Sequence, residues 1–569
     1  MTTLRGQTII KSRRDWEVVP HLYDYHTVCQ AFSWDRARQE LDGLPEGGGL
    51  NMAHEAVDRH AAGPRADHLA IRWIGKKGEQ RDYTYKRLCE QTNRFANVLA
   101  RLGVVKGDRV YALAGRIPEL YIAALGALKH RCVFSPLFSA FGPEPIRARL
   151  TIGQARVLIT TESLYQRKVA GLRAALPHLE HVLLVGDARQ PTAVPDTKDF
   201  YWLMAEAGDR FTVQPTRPED EALLHFTSGT TGTPKGAKRS ADGGAPALAA
   251  MFERIPWRAE EPVVVAAPMF HAWGFGQLAI AAATTCTIIT RRRFDPEATL
   301  QLVEEHGATG LAIVPVMLER IIDLPDEVLD RYPCRTLRFA TASGSRMRPE
   351  AVTAFMDRFG DVICNSYNAT EAGLISTATP ADLRVAPDTA GRPVRGTDVV
   401  LLDDAGRPVP TGEVGRICVR SGSQFSGYTS GTTKEFHQDH MVSGDVGRLD
   451  ADGRLFVVGR DDDMIVSGGE NVYPLEVEKL LDAHPQVHET AVVGVEDEAF
   501  GQRLAAYVVL RPGADLDADG VRAHVKANLA GYKVPRDVVL LDELPRNATG
   551  KVMKRLLPAP GGAADLPGS

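Results

Sequence analysis

The sequence predicts an α/β protein in three parts. A large N-terminal domain is built on doubly wound sheets, a small β subdomain is attached to it, and a small α+β domain follows at the C-terminus. Three observations predict this. From about Asn51 to residue 390, short apolar runs alternate with helix-length amphipathic stretches, the pattern of a mainly parallel sheet covered on both faces. From about Gly391 to residue 461 the texture changes to short β segments separated by Gly, Asp and Pro turns. Beyond Arg460-Asp461-Asp462-Asp463, residues 462–557 mix helices and strands over a length that suits an independent domain.

The elements can be justified in order. Residues 1–50 hold Trp16, Tyr23, Tyr25 and Trp34 among charges and read as an extension ahead of the main body. Thr84–Leu102 carries Leu88, Phe95, Val98, Leu99 and Leu102 at helical spacing, with Gly103 placed to close the helix. Strands are expected at 109–114, 132–137, 155–161, 181–186 and 222–226. Helices are expected between them at 118–129, 143–150 and 164–175. Pro118 suits a first helical turn. The alternation resumes with strands at 262–267, 287–290, 310–314, 337–342 and 362–365, and helices at 296–306, 315–322 and 349–359. Residues 268–274 read as a break. The β subdomain has strands at 399–402, 415–420, 447–449 and 455–458. The last domain has helices at 474–483 and 520–529 and strands at 489–495, 504–510 and 538–541. Residues 558–569 are rich in Pro, Gly and Ala and read as a disordered tail.

Composition narrows the function. The 569 residues are 44% hydrophobic and 24% charged, the balance of a soluble globular protein. A formal net charge of −5 gives no electrostatic case for nucleic-acid binding. Seven scattered cysteines with no Cys-x-x-Cys support neither a zinc site nor a disulfide framework, which fits a cytoplasmic protein. The N-terminus has no signal-peptide core, and no apolar run approaches the roughly 20 residues of a membrane helix.

The most informative stretch is Thr227-Ser-Gly-Thr-Thr-Gly-Thr-Pro-Lys-Gly236, directly after a predicted strand. Glycines let backbone N–H groups approach a polyphosphate, hydroxyls donate further bonds, and Lys235 adds charge. The spacing is not Walker A, because Pro234 stands where the second glycine belongs and Gly236 follows the lysine.

Further motifs follow in order: Tyr367-Asn-Ala-Thr-Glu371, Ser443-Gly-Asp445, Gly459-Arg460, Ser467-Gly-Gly-Glu-Asn471 and Pro545-Arg-Asn-Ala-Thr-Gly-Lys551. Together with Thr227–Gly236 they make the chain resemble the adenylate-forming superfamily, which includes acyl-CoA synthetases, peptide-synthetase adenylation domains and luciferases. The likeness covers roughly residues 50–557.

The resemblance implies site roles. Thr227, Ser228, Gly229, Thr230, Thr231, Gly232 and Lys235 would hold ATP phosphates, with Gly344 also on the nucleotide side. Tyr367 would stack on adenine beside Asn368, Thr370 would contact phosphate, and Glu371 with Thr227 would hold Mg2+. Asp445 would accept the ribose hydroxyls, with Arg460 as a second ribose or phosphate contact. Lys551 would reach from a mobile C-terminal domain, hinged at Asp462, to the reacting carboxylate and α-phosphate. Gly468 and Gly469 would leave room for the pantetheine of coenzyme A, and His271 would line the acyl channel. Trp273, Phe275 and Val314–Met317 read equally as acyl-pocket lining or as core. Asn368 departs from the glycine common at that position, and from the tryptophan that closes acetate-specific pockets.

The two halves resemble different branches. Residues 51–237 are similar to acetate–CoA ligases, and the part from Lys238 onward to actinobacterial fatty-acyl-CoA synthetases, as if the chain were a mosaic joined at the phosphate loop. The implied activity is ATP-dependent carboxylate–CoA ligation through an acyl-AMP. The expected acid is a medium- or long-chain fatty acid, with acetate or another short acid second. Delivery of acyl-AMP to a carrier protein and a non-catalytic nucleotide-binding role are the rival readings.

Overall fold

The computed structural model describes residues 43–45, 48–186, 190–217, 219–228, 234–240, 244–403, 405–467, 470–497, 501–546 and 551–560, with the isolated residues 27 and 30. Most of the expected N-terminal extension and tail lie outside these. So do Gly229, Thr230, Thr231 and Gly232, Gly468 and Gly469, and residues 547–550 ahead of Lys551.

Among the described residues there are four sheets. The first has seven strands, in spatial order 198–199, 181–185, 157–161, 109–113, 133–137, 221–228 and 234–240. All neighbours are parallel except the last pair. The second has nine, in the order 392–393, 373–378, 363–369, 339–342, 310–313, 262–265, 287–291, 69–74 and 80–84. Its central strands are parallel and its edges antiparallel. The central strands are buried along nearly their whole length, as expected of a sheet covered on both faces. A five-stranded antiparallel sheet over 397–460 forms the β subdomain. The small C-terminal domain has a five-stranded sheet with helices Pro474–Asp482 and Ala518–Asn528. No described helix is long and apolar enough to cross a membrane.

The two large sheets share one apolar cluster, which takes Val110, Phe134 and Val157 from the first and Val263, Ile288 and Phe339 from the second. Helix Pro118–Lys129 lies in this cluster and is buried at every position, which accounts for its apolar residues on all sides. Its last residue is an ammonium satisfied by three partners, Asp58 at 2.6 Å, Asn93 at 2.7 Å and Thr92 at 2.9 Å.

Three expectations differ from the structure. The single helix expected over 164–175 is an α-helix, Glu162–Lys168, followed by a 3-10 turn, Ala170–Ala175. Val169, wholly buried, takes a non-helical φ of −122° and separates them. The break at 268–274 leads into a further helix, Ala272–Ala283. Its apolar residues run without helical period and include two glycines, so its type was not legible. Gly274 packs against the preceding turn, where a Cβ would lie 2.2 Å from the Pro268 carbonyl oxygen. The antiparallel pair Leu69–Ile74 and Gln80–Thr84 was also not foreseen.

Two motifs are hairpins from different sheets. In the first sheet Thr227 faces Lys235 and Ser228 faces Pro234, so the described ends of the phosphate motif lie on two paired antiparallel strands. In the second sheet, strand Ile363–Ala369 returns as Gly373–Ala378, with a bulge between Tyr367 and Asn368 and Thr370-Glu371-Ala372 at the tip.

Residues 421–429 fasten the two together. The Thr429 N–H donates to the Gly236 carbonyl at 2.8 Å, and the Lys238 N–H to the Gly427 carbonyl at 3.1 Å. The Phe425 N–H donates to the Glu371 carbonyl at 2.8 Å. Gly236 is required by this closeness, since a Cβ there would meet Thr429 Cγ2 at 2.9 Å. Arg239 spans all three segments from the phosphate hairpin, donating to the Thr370 carbonyl at 2.7 Å and the Ser423 carbonyl at 3.0 Å. Burial pushes its guanidinium below the usual arginine range, and the Glu371 charge opposes that. Replacing Arg239 by Met should strand two carbonyls and lower stability to urea by about 2–4 kcal/mol. A loss under ~0.5 kcal/mol would show that the segments hold together without it.

Candidate functional site

The site is built where the second sheet, the β subdomain and the C-terminal domain meet. Asp445 and Arg460 are directly opposed on adjacent strands, His440–Leu449 and Leu455–Arg460. Arg460 Nη1 donates to Asp445 Oδ1 at 3.0 Å, and the Tyr367 hydroxyl donates to Oδ2. Burial and the Asp445 carboxylate hold the Tyr367 hydroxyl well above the ordinary tyrosine range, so it stays a donor. A carboxylate offers about four lone-pair positions, so Asp445 can accept a vicinal diol alongside both partners. Gly444, at φ +85°, precedes Asp445 within the strand His440–Leu449, and Lys434 donates to the Ser443 carbonyl at 3.0 Å beside it.

A second cluster sits at the hairpin tip. Glu371 is buried, and its Oε1 accepts the Tyr428 hydroxyl at 2.7 Å. Burial and Glu371 raise the Tyr428 hydroxyl, while the nearby Arg460 charge opposes them. Lys235 Nζ lies over the Tyr428 ring, 5.4 Å from its centroid. Tyr428 therefore connects the lysine of the phosphate hairpin with the carboxylate of the second hairpin.

A cleft of about 540 Å³ opens between the large and small domains. Gly344, Asp445 and Arg460 line it from one side and Lys551 from the other. Thus four expected site residues from distant parts of the sequence face one space, and Tyr367 joins them through Asp445.

Other expected residues stand elsewhere. His271 caps helix Ala272–Ala283, its Nδ1 accepting the Trp273 N–H at 3.3 Å. Burial lowers its pKa. His225 on strand Glu221–Ser228 is pushed down to about 3, chiefly by burial, with further contributions from His271 when that ring is protonated and from the Arg239 charge. Both imidazoles are accordingly neutral at ordinary pH. Trp273, Phe275, Val314 and Met317 are buried core residues, with the Trp273 indole N–H on the Ile313 carbonyl at 2.9 Å, whereas Val316 lines the cleft. Asn368 lies at the bulge, and Thr370 presents its carbonyl to Arg239.

Arg239, Tyr428 and Lys434 were missed by reading the sequence. Tyr428 had a usable signal, an aromatic residue after Gly427 in a segment of turn residues. Arg239 had none, because a cation at the end of a strand is ordinarily solvated.

Comparison with known proteins agrees with this geometry. The model of the family described as AMP-binding enzyme matches residues 57–429, and that of the AMP-binding enzyme C-terminal domain matches residues 476–551. The acetyl-coenzyme A synthetase of Bacillus subtilis is 30% identical over 560 residues, covering 95% of each chain. That alignment runs across the phosphate loop, so a junction of two differently descended halves is not needed to account for it. ATP-bound MatB from Rhodopseudomonas palustris superposes with a TM-score of 0.78 at 26% identity, over 89% of this chain and 97% of that one. Apo MatB gives 0.69 with the same identity and coverage. The chain belongs to the adenylate-forming AMP-binding enzyme family.

Proposed function

We propose that this enzyme is an ATP-dependent carboxylate–CoA ligase that acts on a short-chain acid. The observation that carries the reading is the convergence of Lys551 with Gly344, Asp445 and Arg460 in one interdomain cleft. Adenosine lies against Tyr367, with its ribose hydroxyls on Asp445. The phosphates run toward Thr227, Ser228, residues 229–232, Lys235 and the Thr370 hydroxyl. The acid's carboxylate oxygen attacks the α-phosphorus, pyrophosphate leaves, and an acyl-AMP remains. Lys551, a compact and mobile charge, stabilises the anionic transition state. The higher TM-score with ATP-bound than with apo MatB supports this adenylating arrangement.

Mg2+ fits the residues present. Tyr428 occupies one oxygen of the buried Glu371, which orients the carboxylate. Mg2+ is held by one or two carboxylates plus substrate phosphates rather than by a protein cage, and no cluster of three or more ligating side chains occurs among the described residues. Glu371 would hold the ion with Thr227, and it would offset phosphate charge there. In the second half-reaction the C-terminal domain turns about Asp462. The thiol of coenzyme A then attacks the acyl carbonyl and AMP leaves, with Gly468 and Gly469 giving passage to the pantetheine.

Two observations favour a short acid over the fatty acid first expected. The relative matched over 95% of each chain is an acetyl-coenzyme A synthetase. Trp273, Phe275, Val314 and Met317, which read equally as acyl-pocket lining or as core, belong to the packed apolar clusters of the large domain. Neutral His225 and His271 near that core add no charge to an incoming acyl group.

Lys551→Ala should leave ATP binding within about three-fold and reduce acid-dependent ATP–pyrophosphate exchange by about 10²–10³. Exchange near wild type would remove Lys551 from the chemistry. Chelation of Mg2+ should abolish AMP release, and added Mg2+ should restore it; release that persists in chelator excludes the metal. Across straight-chain acids from acetate to stearate, CoA-dependent AMP release should have its highest kcat/KM at two to four carbons. A maximum at eight carbons or more would return the substrate to the fatty acids.

A further inference from the structure

Helix Pro474–Asp482 of the C-terminal domain carries four charged side chains, and they divide by partner. Glu476 and Glu478 pair within their own domain, with Lys533 at 2.7 Å and Lys554 at 3.2 Å. Lys479 and Asp482 reach across to the large domain. Lys479 Nζ donates to Asp388 Oδ2 at 2.7 Å, and Asp482 Oδ2 accepts from Arg346 Nη2 at 2.6 Å. Spaced three residues apart, they share one face of the helix. Asp388 follows helix Pro380–Val385, and Arg346 stands two residues past Gly344 at the rim of the cleft.

The pattern has a direction. The helix offers a cation then an anion, and the large domain answers with an anion then a cation. Only one seating satisfies both, and a reversed seating sets like charges together. Single exposed pairs contribute little to stability, but two of opposite sense on one helix define an orientation. The Arg346–Asp482 pair is also the less hydrated, with the aspartate side chain 11% exposed.

We propose that Lys479–Asp388 and Asp482–Arg346 form a latch that holds the C-terminal domain in the seating where Lys551 faces the cleft, so that these four positioning residues set the balance between the two half-reactions. The inference rests on the ligase reading, in which this domain must leave that seating before the thioester forms. Both pairs must then break, and their strength sets how readily the enzyme passes from the first step to the second.

The test measures two rates on the full chain with the acid found best in the screen. One is acid-dependent ATP–pyrophosphate exchange, and the other is acyl-CoA formation from supplied acyl-adenylate and CoA. Wild type must first form acyl-CoA from acid, ATP and CoA; failure there overturns the ligase reading rather than the latch. In Lys479→Gln, Asp388→Asn and Asp482→Asn, exchange should fall about three- to ten-fold while thioester formation holds or rises, so their ratio falls. Lys479 and Asp388 are partly exposed and lie away from Lys551 in the sequence, so folding should survive their change. The double swap Asp388→Lys with Lys479→Asp should restore the ratio to within about two-fold. A ratio unchanged in all three variants, both rates falling together, or a swap that restores nothing would each overturn the latch.

Discussion

The site depends on a half-buried guanidinium. Arg239 leaves the strand behind the phosphate loop and satisfies carbonyls at the tip of the second hairpin and in the 421–429 segment. The hairpins belong to different sheets, so no ladder of backbone bonds fixes their separation. Arg239 and the peptide bonds beside it do. Glu371 gains by this twice: its carbonyl is held by the Phe425 amide, and its carboxylate lies near a compensating cation.

Against this floor stands the C-terminal domain, which lines the same cleft. The large domain supplies Tyr367, Asp445 and Arg460 from strands and Gly344 from just beyond one. The C-terminal domain supplies Lys551 from the stretch after the strand Asp537–Leu541. A reaction with two chemically different steps is served by this division. In the proposed reaction, groups that recognise the nucleotide would stay in place throughout, and the group needed in one step only would be carried on the domain proposed to turn. The 3-10 turn Asp461–Asp463 between the two sheets is short and polar, as a pivot must be.

Much of this was legible in the sequence. The helices expected at 118–129, 315–322 and 349–359 match Pro118–Lys129, Pro315–Ile322 and Pro349–Phe359 at both ends, each opening on a proline. The order of six motifs identified the family before any geometry was known. What escaped was whatever depended on contacts between distant segments. Gly236 read as a phosphate-cradling glycine, yet its closest demand is steric and comes from Thr429. Trp273 and Phe275 read as pocket or core with equal right, because an apolar side chain near a site looks the same in either role. The split at Val169 came from burial overriding local helix propensity.

The contact between Gly236 and Thr429 has a consequence for how such chains vary. A position whose size is limited by one neighbour is not free to drift alone. In related sequences the residues at these two places should change as a pair, bulk at one excluding bulk at the other. The same reasoning ties Gly373 to Ser423, whose hydroxyl stands 2.3 Å from where a Cβ would lie. Two glycines on separate hairpins are thereby coupled to one intervening segment. Descent would carry residues 421–429 and both motifs together as a single inherited unit, although nearly two hundred residues of chain separate its outermost parts.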